Sequence, residues 1–124
     1  MSLTRLKRAM APDCLFCKIR DGLIPAKVTY RDEGCLAFED IRPQAPTHEL
    51  LIPLRHIASV NDLTAEDRET VGHLFLAAQK IARERGLLGS GYRLVMNTGH
   101  DAGQTVLHVH LHLLGGRPLS WPPG

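Results

Sequence analysis

The sequence predicts an α+β fold, an antiparallel sheet covered on one face by a long helix. Three observations lead there. KVTYR and CLAFED meet across Asp32, Glu33 and Gly34 as a hairpin. The run from Thr64 to Gly86 carries apolar residues at helical spacing, and LHVHLHLL alternates between apolar residues and histidine.

The length of 124 residues suits one domain, expected over residues 13–124, behind a flexible tail over 1–12 that carries Arg5, Lys7 and Arg8 without an acid. A hydrophobic fraction of 44% with 23% charged residues is ordinary for a globular chain. A net charge of +2 is too mild to point to nucleic acid. No run approaches the roughly 20 apolar residues of a membrane span, and MSLTRLKRAMA lacks the apolar core of a signal peptide. The expectation is a soluble cytoplasmic protein. Three cysteines cannot all pair within one chain, which fits a reducing compartment, and Cys35 reads as a small core residue.

CLFCKIRD, residues 14–21, reads as a short helix stopped by Gly22, with Phe16 and Ile19 on one face. The hairpin follows, DIRPQAPT breaks the pattern with two prolines, and HELLIP resumes as a third strand that Pro53 ends. Thr64 is placed to cap a helix, with Glu66 and Asp67 in the first turn. Val71, Leu74, Phe75, Ala78, Ile81 and Ala82 then mark its inner face as far as Gly86. YRLVMN is expected as the fourth strand, NTGHDAGQT as a glycine-rich loop, and LHVHLHLL as the fifth strand. The tail GGRPLSWPPG is too rich in proline and glycine for regular structure, yet carries Trp121, the only tryptophan.

Residues two apart on a strand share a face, so His108, His110 and His112 point one way while Val109, Leu111 and Leu113 point the other. A rise of about 3.3 Å per residue starts successive imidazoles about 6.6 Å apart, close enough to address one small ligand. Imidazole serves as nucleophile, acid, base or metal ligand near neutral pH. The pattern therefore fits a metal site or an anion site, against the plainer reading of a polar strand face. Three histidines in register beside a glycine-rich loop favour a site. Gly99, Gly103, Gln104 and Thr105 let backbone N–H groups converge on an anion. Cys14 and Cys17 form a C-x-x-C pair open to three readings: zinc ligands, free thiols or a redox disulfide.

GQTVLHVHLHLLGGR resembles the histidine triad superfamily, and CLAFEDIRPQAPTHELLIPLRH, YRLVMNTGHDAGQ and WPPG resemble its Hint branch of purine nucleoside phosphoramidate hydrolases. The resemblance runs from about Asp13 to Gly124. It implies a five-stranded antiparallel sheet with a short N-terminal helix and one long helix, two subunits joining into a ten-stranded sheet. It also implies cleavage of the P–N bond of adenosine phosphoramidate-type substrates through a nucleotidyl-histidine on His110. His112 would donate to a phosphate oxygen, and His108 and His48 would complete the polar constellation. Asp40 would hold the ribose, while Phe16, Ile19, Phe38 and Ile41 would line the base pocket. Asn97, Gly103, Gln104, Thr105 and Val106 would approach the phosphate or leaving group, and Trp121 would reach the partner's pocket.

Two departures stand out. Thr105 replaces the serine usual in animal members and, with Gln104, matches the Fhit-type dinucleoside polyphosphate hydrolases. GGR after the triad and the WPPG end argue against that branch. The second departure is the cysteine pair. In some bacterial relatives the corresponding residues, here Cys14, Cys17, His56 and His108, hold a structural zinc, a closed Cys2His2 site that would brace the active strand without touching substrate. No organic cofactor is expected. A nucleotide-binding interaction module with incidental hydrolysis is the other class of reading.

Overall fold

The protein's computed structural model describes residues 13–124, so the tail expected over residues 1–12 lies outside the described residues. Strands β1 (Val28–Arg31), β2 (Cys35–Glu39), β3 (Thr47–Pro53), β4 (Tyr92–Val95) and β5 (Leu111–Gly115) form one antiparallel sheet in the order β1-β2-β3-β5-β4. Helices α1 (Leu15–Arg20) and α2 (Arg68–Glu84) complete the architecture. The α+β expectation and the hairpin hold.

The hairpin turns because Asp32 replaces the missing backbone partners: its Oδ1 accepts from the N–H groups of Gly34 and Cys35, each at 2.8 Å. Its Oδ2 accepts from the Tyr30 hydroxyl and from His73 Nε2, each at 2.7 Å, which ties the turn to α2.

Alternation assigns the two faces of the sheet. Leu51, Leu111 and Leu113 meet Leu74, Ala77, Ala78, Ile81 and Ala82 of α2 in one core, and the alanines let the helix approach closely. Leu36, Phe38, Leu50 and Ile52 face the opposite way and pack with Phe16 of α1. Thr64 caps the 3-10 turn Ala65–Asp67 that leads into α2, where the sequence predicts a cap, and Asp67 closes a capping box with it.

The details differ in four places. Phe75, expected on the inner face, is 44% exposed, while Ala77 is buried in its place, three residues after Leu74 and four before Ile81. Phe16, expected to line a pocket, is buried, 4% exposed. The fourth strand stops at Val95, leaving Asn97 beyond the ladder. The fifth strand begins only at Leu111, because His108 N–H turns back to the Val106 carbonyl at 2.9 Å and Val109 N–H donates to Ile57 at 2.7 Å. His108 and His110 thus precede the ladder, although Val109, Leu111 and Leu113 still share the α2 core.

Glu49 points into the α2 side, fully buried, where Thr29 Oγ1 donates to one carboxylate oxygen and Arg85 Nε to the other at 3.0 Å. A second buried acid, Asp67, pairs with Arg55. Neither pairing is visible in the sequence, since both join residues distant along the chain.

Candidate active site

Backbone groups set the protonation pattern of the histidines. Gln44 N–H can only donate, and it lies 3.0 Å from His48 Nδ1, so that nitrogen accepts and Nε2 carries the proton. His48 Nε2 lies 2.9 Å from His112 Nδ1, which must then accept, leaving His112 with an N–H on Nε2. His110 Nδ1 lies 2.7 Å from the His108 carbonyl and donates to it, which leaves a lone pair on Nε2. His108 Nε2 donates to the Pro53 carbonyl at 3.0 Å, leaving its Nδ1 as an acceptor. Each ring is held in one tautomer with one function left over.

Burial keeps these rings neutral. His112 is pushed down to about 4, first by desolvation and then by His110 and His48 beside it. Desolvation also lowers His110 and His48. Phe16 packs in a T-shaped contact with His110, with centroids 5.0 Å apart, and with Phe38 at 5.4 Å, so α1 closes the hydrophobic side of the cluster.

The first triad histidine turns away toward α1. His108 Nδ1 lies 3.4 Å from Cys14 Sγ, 3.6 Å from Cys17 Sγ and 3.2 Å from His56 Nδ1, and Cys17 Sγ is 3.5 Å from His56 Nδ1. A tetrahedral ion with Zn–S about 2.3 Å and Zn–N about 2.0 Å sets such separations at roughly 3.3–3.6 Å. The two sulfurs, the two nitrogens and their spacing fit zinc, and His108 Nε2–H on Pro53 supplies the outer hydrogen bond that orients a metal-bound imidazole. Of the open readings for C-x-x-C, the four-ligand cluster is the one this geometry favours; Cys14 and Cys17 form no disulfide.

Other predicted residues fall into place unevenly. Ile19 and Val106 pack against the Phe16–Phe38 cluster. Asp40 Oδ2 stands 3.5 Å from His48 Nε2, while its Oδ1 accepts the Arg42 N–H at 2.8 Å, so it is also the turn residue before Ile41. Ile41 is 93% exposed and Trp121 82%: in a single chain both stand in solvent rather than against the histidines. Gly103 adopts φ +81° and lets the loop fold back. Gln104 braces that loop, accepting from Gly99 N–H at 3.0 Å and donating to Ala58 at 2.8 Å and Val106 at 3.1 Å. Thr105 and Val106 line a cavity of about 570 Å³ that also touches Cys14 and His56. A smaller cavity of about 100 Å³ lies under Asp40, His48 and Glu49.

The residues missed from the sequence are Gln44, Pro53 and the carbonyl of His108, which act through the main chain. Side-chain identity gives no signal for them.

Known proteins share this sequence pattern and fold. A family model described as the HIT domain matches residues 21–119. A HIT family hydrolase from Legionella pneumophila is 54% identical and superposes with a TM-score of 0.89, covering 90% of this chain and 100% of that one. A histidine triad nucleotide-binding protein from Candida albicans is 30% identical, with a TM-score of 0.76 over 89% of this chain and 83% of its own. A zinc-bound histidine triad family protein from Mycobacterium smegmatis is 40% identical, with a TM-score of 0.75 over 85% and 76% of the two chains. With residues 21–119 matched by that family model and 90% of its length covered by the Legionella relative, the chain belongs to the HIT domain family.

Proposed function

We propose that the protein binds purine nucleotides and hydrolyses nucleoside 5′-phosphoramidates of the adenosine type through a nucleotidyl-histidine on His110. The observation that carries this reading is the 2.7 Å hydrogen bond from His110 Nδ1 to the His108 carbonyl, which directs the ring's lone pair to Nε2. Nε2 attacks the α-phosphorus as the P–N bond breaks, the leaving nitrogen taking a proton from water to depart as the amine; water then cleaves the N–P bond to the ring, releasing the nucleoside monophosphate and the free imidazole. Imidazole suits both halves, as nucleophile and as leaving group. His112 offers its Nε2–H to a phosphate oxygen as charge develops, positioned by His48. Asp40 binds the ribose, Phe16, Ile19, Phe38 and Ile41 the base, and Asn97, Gly103, Gln104, Thr105 and Val106 surround the phosphate and leaving group. The names of the Legionella and Candida relatives, a hydrolase and a nucleotide-binding protein, support this reading.

Cys14, Cys17, His56 and His108 would hold a structural zinc, supported by the donor spacing and by the zinc-bound relative. Bound there, the ion supplies no chemistry to the substrate; it fixes α1 against the approach to β5. The protein works as a homodimer in which β4 and α2 meet their counterparts and Trp121 crosses to the partner's pocket. The cytoplasm is its compartment, and among the described residues no helix is long and apolar enough to cross a membrane. Gln104–Thr105 supports a second reading, dinucleoside polyphosphates as substrates.

Intact mass of protein mixed with adenosine phosphoramidate and quenched in acid tests the proposal. A nucleotidyl adduct present in the wild type and absent in His110→Ala is expected. Turnover without an adduct, or unchanged in the variant, overturns it. Diadenosine polyphosphate in a parallel reaction separates the two substrate readings.

A further inference from the structure

The register places Arg93 opposite Leu114 and Val95 opposite His112, and Leu114 in turn opposite His48. Directly paired residues share a face, so Arg93 stands on the same side of the sheet as His48 and His112, one step further along. Its Nη2 donates to the carbonyls of Leu119 at 3.4 Å and Ser120 at 2.9 Å, drawing the C-terminal tail over this end of the face. From the tail, Arg117 donates through Nε to the Gln44 carbonyl at 2.9 Å and through Nη1 to Pro118 at 2.9 Å.

Between the turn before β4 and this tail lies a cleft of about 210 Å³ lined by both arginines. Among the described residues neither guanidinium has a carboxylate within 4.0 Å, in contrast to Arg20, Arg55 and Arg85, each of which pairs with an acid. Their hydrogen bonds go to neutral carbonyls, which orient the forks but leave two positive charges and the other N–H groups of each fork without a counter-charge. Such a fork matches the oxygens of a phosphate.

We propose that this cleft is a phosphate-binding site, distinct from the proposed centre at His110 and reached from the same face. Arg93 and Arg117 grip one phosphate group from opposite walls. The ligand is either free phosphate or the far phosphate of a polyphosphate leaving group, and the site stands whether or not His110 acts as a nucleophile.

The test follows the arginine Nε–H resonances of the full chain by NMR during titration with inorganic phosphate, with and without saturating AMP to occupy the proposed nucleotide site. Shifts at Arg93 and Arg117 that persist in AMP are expected, with affinity reduced about tenfold in Arg117→Gln, the loss of one charge-assisted pair. Arg93→Lys keeps a donor for the tail carbonyls, and unchanged Trp121 fluorescence reports that the tail has not moved; a similar weakening is expected. A non-hydrolysable dinucleoside tetraphosphate that shifts both arginines and His112 assigns the cleft to the leaving group, whereas a response to inorganic phosphate alone assigns it to the free ion. Absence of shifts at both arginines, shifts abolished by AMP, or wild-type affinity in both variants overturns the proposal.

Discussion

His48 Nε2 and His112 Nδ1 lie 2.9 Å apart, and the N–H of Gln44 on the far side of His48 decides which of the two rings donates. A single main-chain group thus fixes the tautomer of two histidines in series, and the proton at the end of that series is on His112 Nε2.

Replacing His48 by alanine removes that order and leaves His112 Nδ1 without its donor. The expected result is a fall in kcat of about 10²-fold, the lower end of what a positioned proton donor contributes, with nucleotide affinity retained. Steady-state kinetics beside equilibrium AMP binding checks the split; an equal loss of affinity and turnover would mean that His48 only shapes the pocket.

Acid should destabilise the protein in a defined window. His112 is lowered to about 4 in the folded chain, against about 6.5 for an ordinary histidine, so the unfolded chain binds the extra proton first. Stability is therefore full above pH about 6.5 and drains as pH falls toward 4, with His48 and His110 shifted in the same direction. Urea unfolding across this range should show a shallower pH slope in His112→Asn than in the wild type.

Gly34 is required by its neighbour and not by its own backbone angles. A Cβ there would come within 2.9 Å of His73 Cδ2 and 3.0 Å of Nε2, pushing the ring off Asp32. Gly34→Ala should cost about 1–2 kcal/mol, and the cost should shrink in a His73→Ala background. A double-mutant cycle by denaturant unfolding measures it; full additivity would sink the coupling.

Removal of metal should loosen α1. With Cys14, Cys17, His56 and His108 as ligands, a chelator strong enough to strip zinc is expected to lower Tm by roughly 10 °C, restored by stoichiometric zinc. Cys17→Ser should start at the lower Tm and ignore the chelator. Calorimetry with metal analysis on the same sample decides it, and a chelator-insensitive wild type free of zinc contradicts the assignment.

Much was legible in the chain itself. Period-two alternation, the capping pair Thr64–Asp67 and the helical spacing up to Ile81 and Ala82 are local properties, and local physics is enough to read them. The histidine run and the C-x-x-C pair announced that chemistry was present. What the tertiary structure alone decided is direction. His108 and His110 differ in neither residue type nor spacing, yet one aims Nδ1 at two thiols and the other donates from Nδ1 to a main-chain carbonyl, because the chain leaves the ladder before Leu111 and the carbonyls of Pro53 and His108 take one nitrogen from each ring. Long-range hydrogen bonds to main-chain groups carry no mark in side-chain identity, so the sequence could name these histidines, while only their three-dimensional neighbours could give each a separate task.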